Sequence, residues 1–252
     1  MTHDLSIFQL SIAIGGGFLA GVINTLAGNG SAITLPVLMF VLGLPPNTAN
    51  GTNRIGILVQ GLMGTGTFYR NKILKPRQHP WVILPAIAGA MLGVWMAIQI
   101  SPQGFKRVFG LILILMLVLA LAHPKRWLKP KERRIPVGLY GILMFLLGVY
   151  GGFIQMGMGI FFLATTVLLG GMPLIRANAL KLFVVTSYTL VVLFVFHMKG
   201  LVDWRLGGIV AVGQGLGGWI TARWASKYPK ADLWAYRLLL ITLVWAILRV
   251  FL

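Results

Sequence analysis

The sequence predicts an all-α polytopic membrane protein built from two inverted-topology repeats, each a glycine-broken helical hairpin plus about three transmembrane helices. Three observations lead there. Of 252 residues, 58% are hydrophobic and 10% charged, against about 25% charged in a soluble domain. The mean hydropathy is +0.86. The apolar residues gather into ten segments, and motifs of the first half return in the second at a nearly constant offset.

The segments run roughly over 6–26, 30–43, 49–69, 80–100, 105–122, 136–155, 158–171, 177–197, 205–225 and 233–251. Most are near the ~20 residues that span a ~30 Å hydrocarbon core. The second and seventh are shorter, in the re-entrant range, and each follows its predecessor after only a glycine-broken turn. Such pairs read as hairpins turning inside the membrane or as full crossings; irregular backbone at that depth requires burial in protein or a wet cavity. The halves are 1–122 and 136–252, joined by a basic linker, 123–135.

The repeat frame is specific. AGNG (Ala27 to Gly30), an apolar run, Leu44-Pro45-Pro46 and ANGTNR (Ala49 to Arg54) are echoed by MGMG (Met156 to Gly159), an apolar run, Met172-Pro173 and ANALK (Ala177 to Lys181). Gly28 and Gly30 match Gly157 and Gly159 at an offset of 129, whereas Pro45, Ala49 and Asn50 match Pro173, Ala177 and Asn178 at 128. Gly89, Gly93 and Trp95 match Gly213, Gly217 and Trp219, and Arg107 matches Arg237. Several such matches in order are evidence for a repeat. Interrupted segments at corresponding positions of two halves point to a transport site.

Charge orients the chain. Arg70, Lys72, Lys75 and Arg77, the linker's Lys125, Arg126, Lys129, Lys131, Arg133 and Arg134, and Arg223, Lys227 and Lys230 share one side if segments 4 and 5 form a hairpin. Lys106, Arg107, Lys199 and Arg205 lie opposite. The positive-inside rule puts the linker in the cytoplasm and both termini outside. The start, MTHDLSIFQL, lacks a basic n-region, so a retained N-terminus is expected. The net charge of +18 is then a topology signal, and nucleic acid is not an expected partner.

The four acidic residues, Asp4, Glu132, Asp203 and Asp232, lie at or beyond segment ends. No carboxylate is therefore available for an intramembrane proton relay, a cation cage or paired-carboxylate hydrolysis. There is no cysteine. No phosphate loop, nucleophile elbow or metal-binding histidine spacing appears, so neither an enzyme nor a cofactor or metal is expected. A docking subunit is disfavoured, because the linker is the longest loop.

The intramembrane ionisable candidates are Arg54 and Lys181, each about one turn into a segment entered through Ala-Asn. Buried charge there is functional by default, although either side chain could snorkel from a helix end. Segments 2, 3, 7 and 8 begin at glycine or asparagine, and helix starts present unpaired N–H groups to an anion. Asn29, Ser31, Asn50, Asn53 and Asn178 could donate to oxyanion oxygens; each asparagine could instead be an N-cap. Backbone at Gly28, Gly30, Gly157 and Gly159 would come close to the ligand. Asn24, Gln60, Gln155 and Gln214 read as helix bridges. The glycines of GLMGTG and GQGLGG read as close-packing sites. Trp81, Trp127, Trp204 and Trp234 read as interfacial residues. His3, His79 and His123 are loop residues, and His197 is a weaker candidate for proton handling.

The run Gly15 to Arg54 (GGGFLAGVINTLAGNGSAITLPVLMFVLGLPPNTANGTNR) and the run Gly148 to Lys181 (GVYGGFIQMGMGIFFLATTVLLGGMPLIRANALK) resemble the sulfite exporter TauE/SafE family. The resemblance is carried by Gly28, Gly30, Pro36, Asn50 and Asn53 in the first half, and by Gly157, Gly159, Ala177, Asn178 and Lys181 in the second. It implies a multi-pass carrier in the bacterial inner membrane that exports sulfite or an organosulfonate such as sulfoacetate. MGMG departs from the more polar AGNG, so the second break would contribute only backbone. An anion channel and an uptake carrier for another sulfur oxyanion are the alternatives. The expected partners are a small anion, the lipid bilayer and, as an open alternative, a second copy in a homodimer.

Overall fold

A computed structural model describes residues 5–75, 80–99, 135–228, 230–238, 240 and 241. The fifth segment (105–122), nearly all of the basic linker and most of the tenth segment lie outside the described residues. So do His3, Asp4, Arg77, His79, Lys106, Arg107, His123, Trp127 and Glu132. Among the described residues there are helices and no strand.

Helix α1 spans Ile7–Leu26 and opens on a capping box, in which the Ser6 hydroxyl accepts from Gln9 N–H and the Gln9 side chain accepts from Ser6 N–H. It stops at Ala27, because Gly28 takes a left-handed φ of +78° that carries the chain out of the helix. Helix α2 (Ser31–Pro36) widens into a π-turn over Val37–Val41 just after Pro36, where proline has removed a ladder donor. Gly43 (φ +73°) turns the chain into α3 (Pro46–Arg70), which starts with proline at its first position. Helix α4 is Pro80–Ala97.

The second half repeats these conformations. Helix α5 (Val137–Phe153) ends before Gly157 (φ +75°), α6 (Met158–Leu163) widens into a π-turn over Ala164–Leu169, and Gly171 (φ +68°) leads through Pro173 into α7 (Leu174–Met198). Here the widening contains Thr166, whose hydroxyl donates to Phe162 C=O at 2.8 Å and competes with the ladder. Helices α3 and α7 each have 25 residues and start 128 positions apart. Helix α8 is Trp204–Ala225, capped by Asp203, and residues 231–238 are again helical.

The halves interlock. The first helix of each packs mainly on the fourth helix of the other, α1 on α8 and α5 on α4, and α3 packs on both α8 and α7. Small residues allow this. Gly213 and Gly217 of α8 lie on the backbone of α1 at Ile14 and Phe18, and Gly89 and Gly93 of α4 lie on α5 at Phe145 and Val149. These are the matched glycines of the repeat frame, and they make matched contacts.

By length and composition, α1 and α7 are apolar enough to cross a membrane. Helix α3 is as long as α7, but its polar start lies inside the helix. It begins at Pro46 rather than near residue 49, so Asn50, Asn53 and Arg54 stand one to two turns in. Lys181 is likewise two turns into α7. Asn50, Asn53 and Asn178 are therefore not N-caps; the preceding prolines hold those positions.

Candidate functional site

The two breaks meet at the centre of the molecule. Gly28 and Gly159 touch backbone to backbone, and a Cβ on either would overlap the main chain of the other. Each break exposes the last carbonyls of a helix, which have no partner within it. Polar groups from the opposite half satisfy them.

Lys181 Nζ donates to Asn24 C=O at 2.7 Å and Thr25 C=O at 3.3 Å, and also to Asn178 Oδ1. Asn178 Nδ2 donates to Leu26 C=O at 2.9 Å. The last three carbonyls of α1 are thus closed from α7. The arrangement is mirrored at α5. Arg54 Nη1 donates to Gly151 C=O at 2.7 Å and to Gln155 Oε1, while its Nη2 donates to Gly152 C=O at 3.1 Å and Asn50 Oδ1 at 3.4 Å. Asn50 Nδ2 completes the set on Phe153 C=O at 3.2 Å. A cation at a helix C-terminus also matches the negative end of the helix dipole.

Arg54 and Lys181 are 0% and 1% exposed, which rules out snorkelling to an interface. Asp203 caps α8, and the Asp232 carboxylate accepts from Ile175 N–H at the start of α7, so neither described carboxylate reaches the two cations. A helix end carries about half a negative charge. A protonated side chain at each cap therefore carries more charge than the helix end it closes.

The remaining expected residues split into two groups. In the first half, Thr34 Oγ1 donates to Asn53 Oδ1 (2.6 Å) and Asn53 Nδ2 donates to Ser31 Oγ (3.0 Å), tying α2 to α3. Asn29, 1% exposed, has neither amide atom hydrogen-bonded among the described residues. Gly30 N–H lies 3.4 Å from Asn24 Oδ1. In the second half, Met158 stands where Asn29 would be, so that break offers only backbone and a buried thioether.

The sequence reading did not assign Gln155 to Arg54, nor did it single out Tyr188, whose hydroxyl donates to Gln155 Oε1 at 3.2 Å. Position 188 is the 128-offset counterpart of Gln60, and that correspondence could have found it. Gln60 itself bridges as expected: its Oε1 accepts from Asn24 Nδ2 (2.8 Å) and Gln214 Nε2 (3.1 Å). His197 instead sits at the exposed end of α7, accepting from Trp204 Nε1.

Comparison with known proteins identifies the family. The chain is 29% identical over 229 residues to "Probable membrane transporter protein ORF9" of Sinorhizobium sp., covering 88% of this chain and 85% of that protein. It is 30% identical over 217 residues to a "Probable membrane transporter protein" of Haemophilus influenzae, covering 85% and 84%. A third relative, from Escherichia coli K12, is 28% identical over 204 residues, covering 79% and 74%. Residues 13–250 match the family described as Sulfite exporter TauE/SafE, and the chain belongs to that family of membrane transporters.

Proposed function

We propose that this protein is a secondary carrier, not an enzyme, that exports a small anion across the bacterial inner membrane. The anion is sulfite or an organosulfonate such as sulfoacetate. It would move by alternating access between two inverted halves whose breaks meet at Gly28 and Gly159. The observation that carries the reading is the centre itself: two fully buried cations, no described carboxylate beside them, and a buried asparagine with an unengaged amide.

Arg54 and Lys181 attract the anion through their field while their protons hold the helix ends. Asn29 supplies the free hydrogen-bonding group, Ser31 and Asn53 hold the start of α2 on α3, and the glycine breaks bring backbone close. An inside-negative potential drives anion export by about 2.3 kcal/mol per charge per 100 mV, so no coupling ion is needed.

The test is thermal stabilisation of the purified protein by sulfite, sulfate, thiosulfate, sulfoacetate, taurine and a carboxylate control. A ligand at ~100 times its dissociation constant adds about 2.7 kcal/mol. Stabilisation by one sulfur anion, absent in Asn29→Ala, supports the reading; stabilisation by the carboxylate alone overturns the substrate class. Counterflow of labelled anion in proteoliposomes marks a carrier, and its absence with conductive flux marks a channel.

A further inference from the structure

A second feature lies on the outer face of α1 and α8, reaching Leu26 at the end of α1 on its inner side. There α1, the end of α8 and helix 231–238 enclose an open groove of about 380 Å³, within the range of ligand pockets. Its walls are Val22, Leu26, Ile220, Trp224, Trp234 and Leu238, with Thr221 the one polar side chain among them. Ile220, Trp224 and Trp234 are exposed, and the same face of the two helices presents Leu19, Val212 and Leu216. The groove thus opens from an apolar surface and suits an apolar occupant.

One end is strongly basic. Arg223, Lys227, Lys230 and Arg237 are all exposed around the turn that joins α8 to helix 231–238. The acid next to that turn, Asp232, accepts from Ile175 N–H, and no other described carboxylate lies beside these charges in sequence. Arg223 lies over the Trp219 ring at 5.9 Å and Arg237 over the Trp234 ring at 5.4 Å, which fixes two guanidiniums at an aromatic rim. Trp224 stacks on Tyr228 at 4.8 Å.

We propose that this is a binding site for an anionic phospholipid, with one acyl chain in the groove and the phosphate on the cations of the 226–230 turn. The charge distribution of the sequence places that turn at the cytoplasmic leaflet, where anionic lipids concentrate. The apolar walls select a chain, and the cations select the headgroup.

Quenching of tryptophan fluorescence by acyl-brominated lipids tests it in the full chain reconstituted in phosphatidylcholine vesicles. The Trp224 and Trp234 contribution is the difference between the parent and Trp224→Phe/Trp234→Phe. Brominated phosphatidylglycerol should quench that contribution at much lower mole fraction than brominated phosphatidylcholine. Lys227→Gln and Lys230→Gln, both at exposed positions, should each weaken the preference about fivefold. Their unchanged quenching by phosphatidylcholine would report that the groove still forms. Equal quenching by both lipids in the parent would mean ordinary annular contact and overturn the proposal. No quenching by either would mean that protein, a second copy or this chain, fills the groove, and would overturn it equally.

Discussion

Lys181 has every ammonium proton engaged, whereas Asn29 has neither amide atom engaged, so removing each should have opposite consequences. Lys181→Ala takes the lysine donor from the Thr25 carbonyl and from Asn178 Oδ1 in a buried place, at about 1–3 kcal/mol per unsatisfied group, while the Asn24 carbonyl keeps Gly28 N–H. The melting temperature should fall clearly, and transport should fall with it. Asn29→Ala removes no described hydrogen bond. Its melting temperature should stay near the parent's while sulfur-anion stabilisation and transport disappear. An equal melting loss in both variants would make Asn29 structural and move the ligand elsewhere. Arg54→Lys keeps the charge but gives up the planar fork, so it should destabilise the protein although the field persists. The residue types at these positions were legible in the sequence, since cations flanked by asparagines stood out in apolar segments. Their partners were not. Arg54 and Gly151 are 97 positions apart and Lys181 and Asn24 are 157 apart, and no local pattern encodes such contacts.

At the scale of the element, two glycines separate strain from crowding. Gly43 has φ +73° and open space around it, so Gly43→Ala should cost only about 1–2 kcal/mol of left-handed strain. Gly159 lacks a left-handed φ, yet its Cβ would overlap the main chain of Gly28. Gly159→Ala should therefore be much the more damaging, pushing the two breaks apart. Comparison of melting temperatures and of yield in the membrane checks the order, and a milder Gly159→Ala would refute the close contact. The broken elements themselves were readable from glycine and proline placement, and the short segments 30–43 and 158–171 became α2 and α6 with their π-turns. The start of α3 was misplaced because proline opens a helix as readily as a turn closes one. Two polar opening turns such as NTANGTNR have no apolar edge to mark them.

For the whole molecule, the inverted arrangement proposed above makes a clear forecast. Lys72, after α3, and Lys199, after α7, stand at matching ends of equivalent helices. Inverted halves put these positions on opposite faces of the membrane. The chain has no cysteine, so single cysteines at either site can be read without background. An impermeant maleimide should label Lys199→Cys in intact cells, and Lys72→Cys only after the membrane is opened. Labelling of both from outside would refute the inversion. The repeat was visible as an offset of 128, but the exchange of partners was not. Which half α1 packs against depends on surfaces far apart in the chain, and matched glycines allow close packing without naming the neighbour.

The mutual closure of helix ends also sets an order on biosynthesis. The carbonyls at the end of α1 enter the membrane early, but the lysine that satisfies them is 157 residues further on. At about 5–20 residues per second, the ribosome needs about 8–30 s to supply it. During that interval the nascent first half carries an open polar wound in a solvent that cannot dress it. A chain truncated before Lys181 would keep it open, and membrane quality control should clear such fragments unless the second half is supplied as a separate polypeptide.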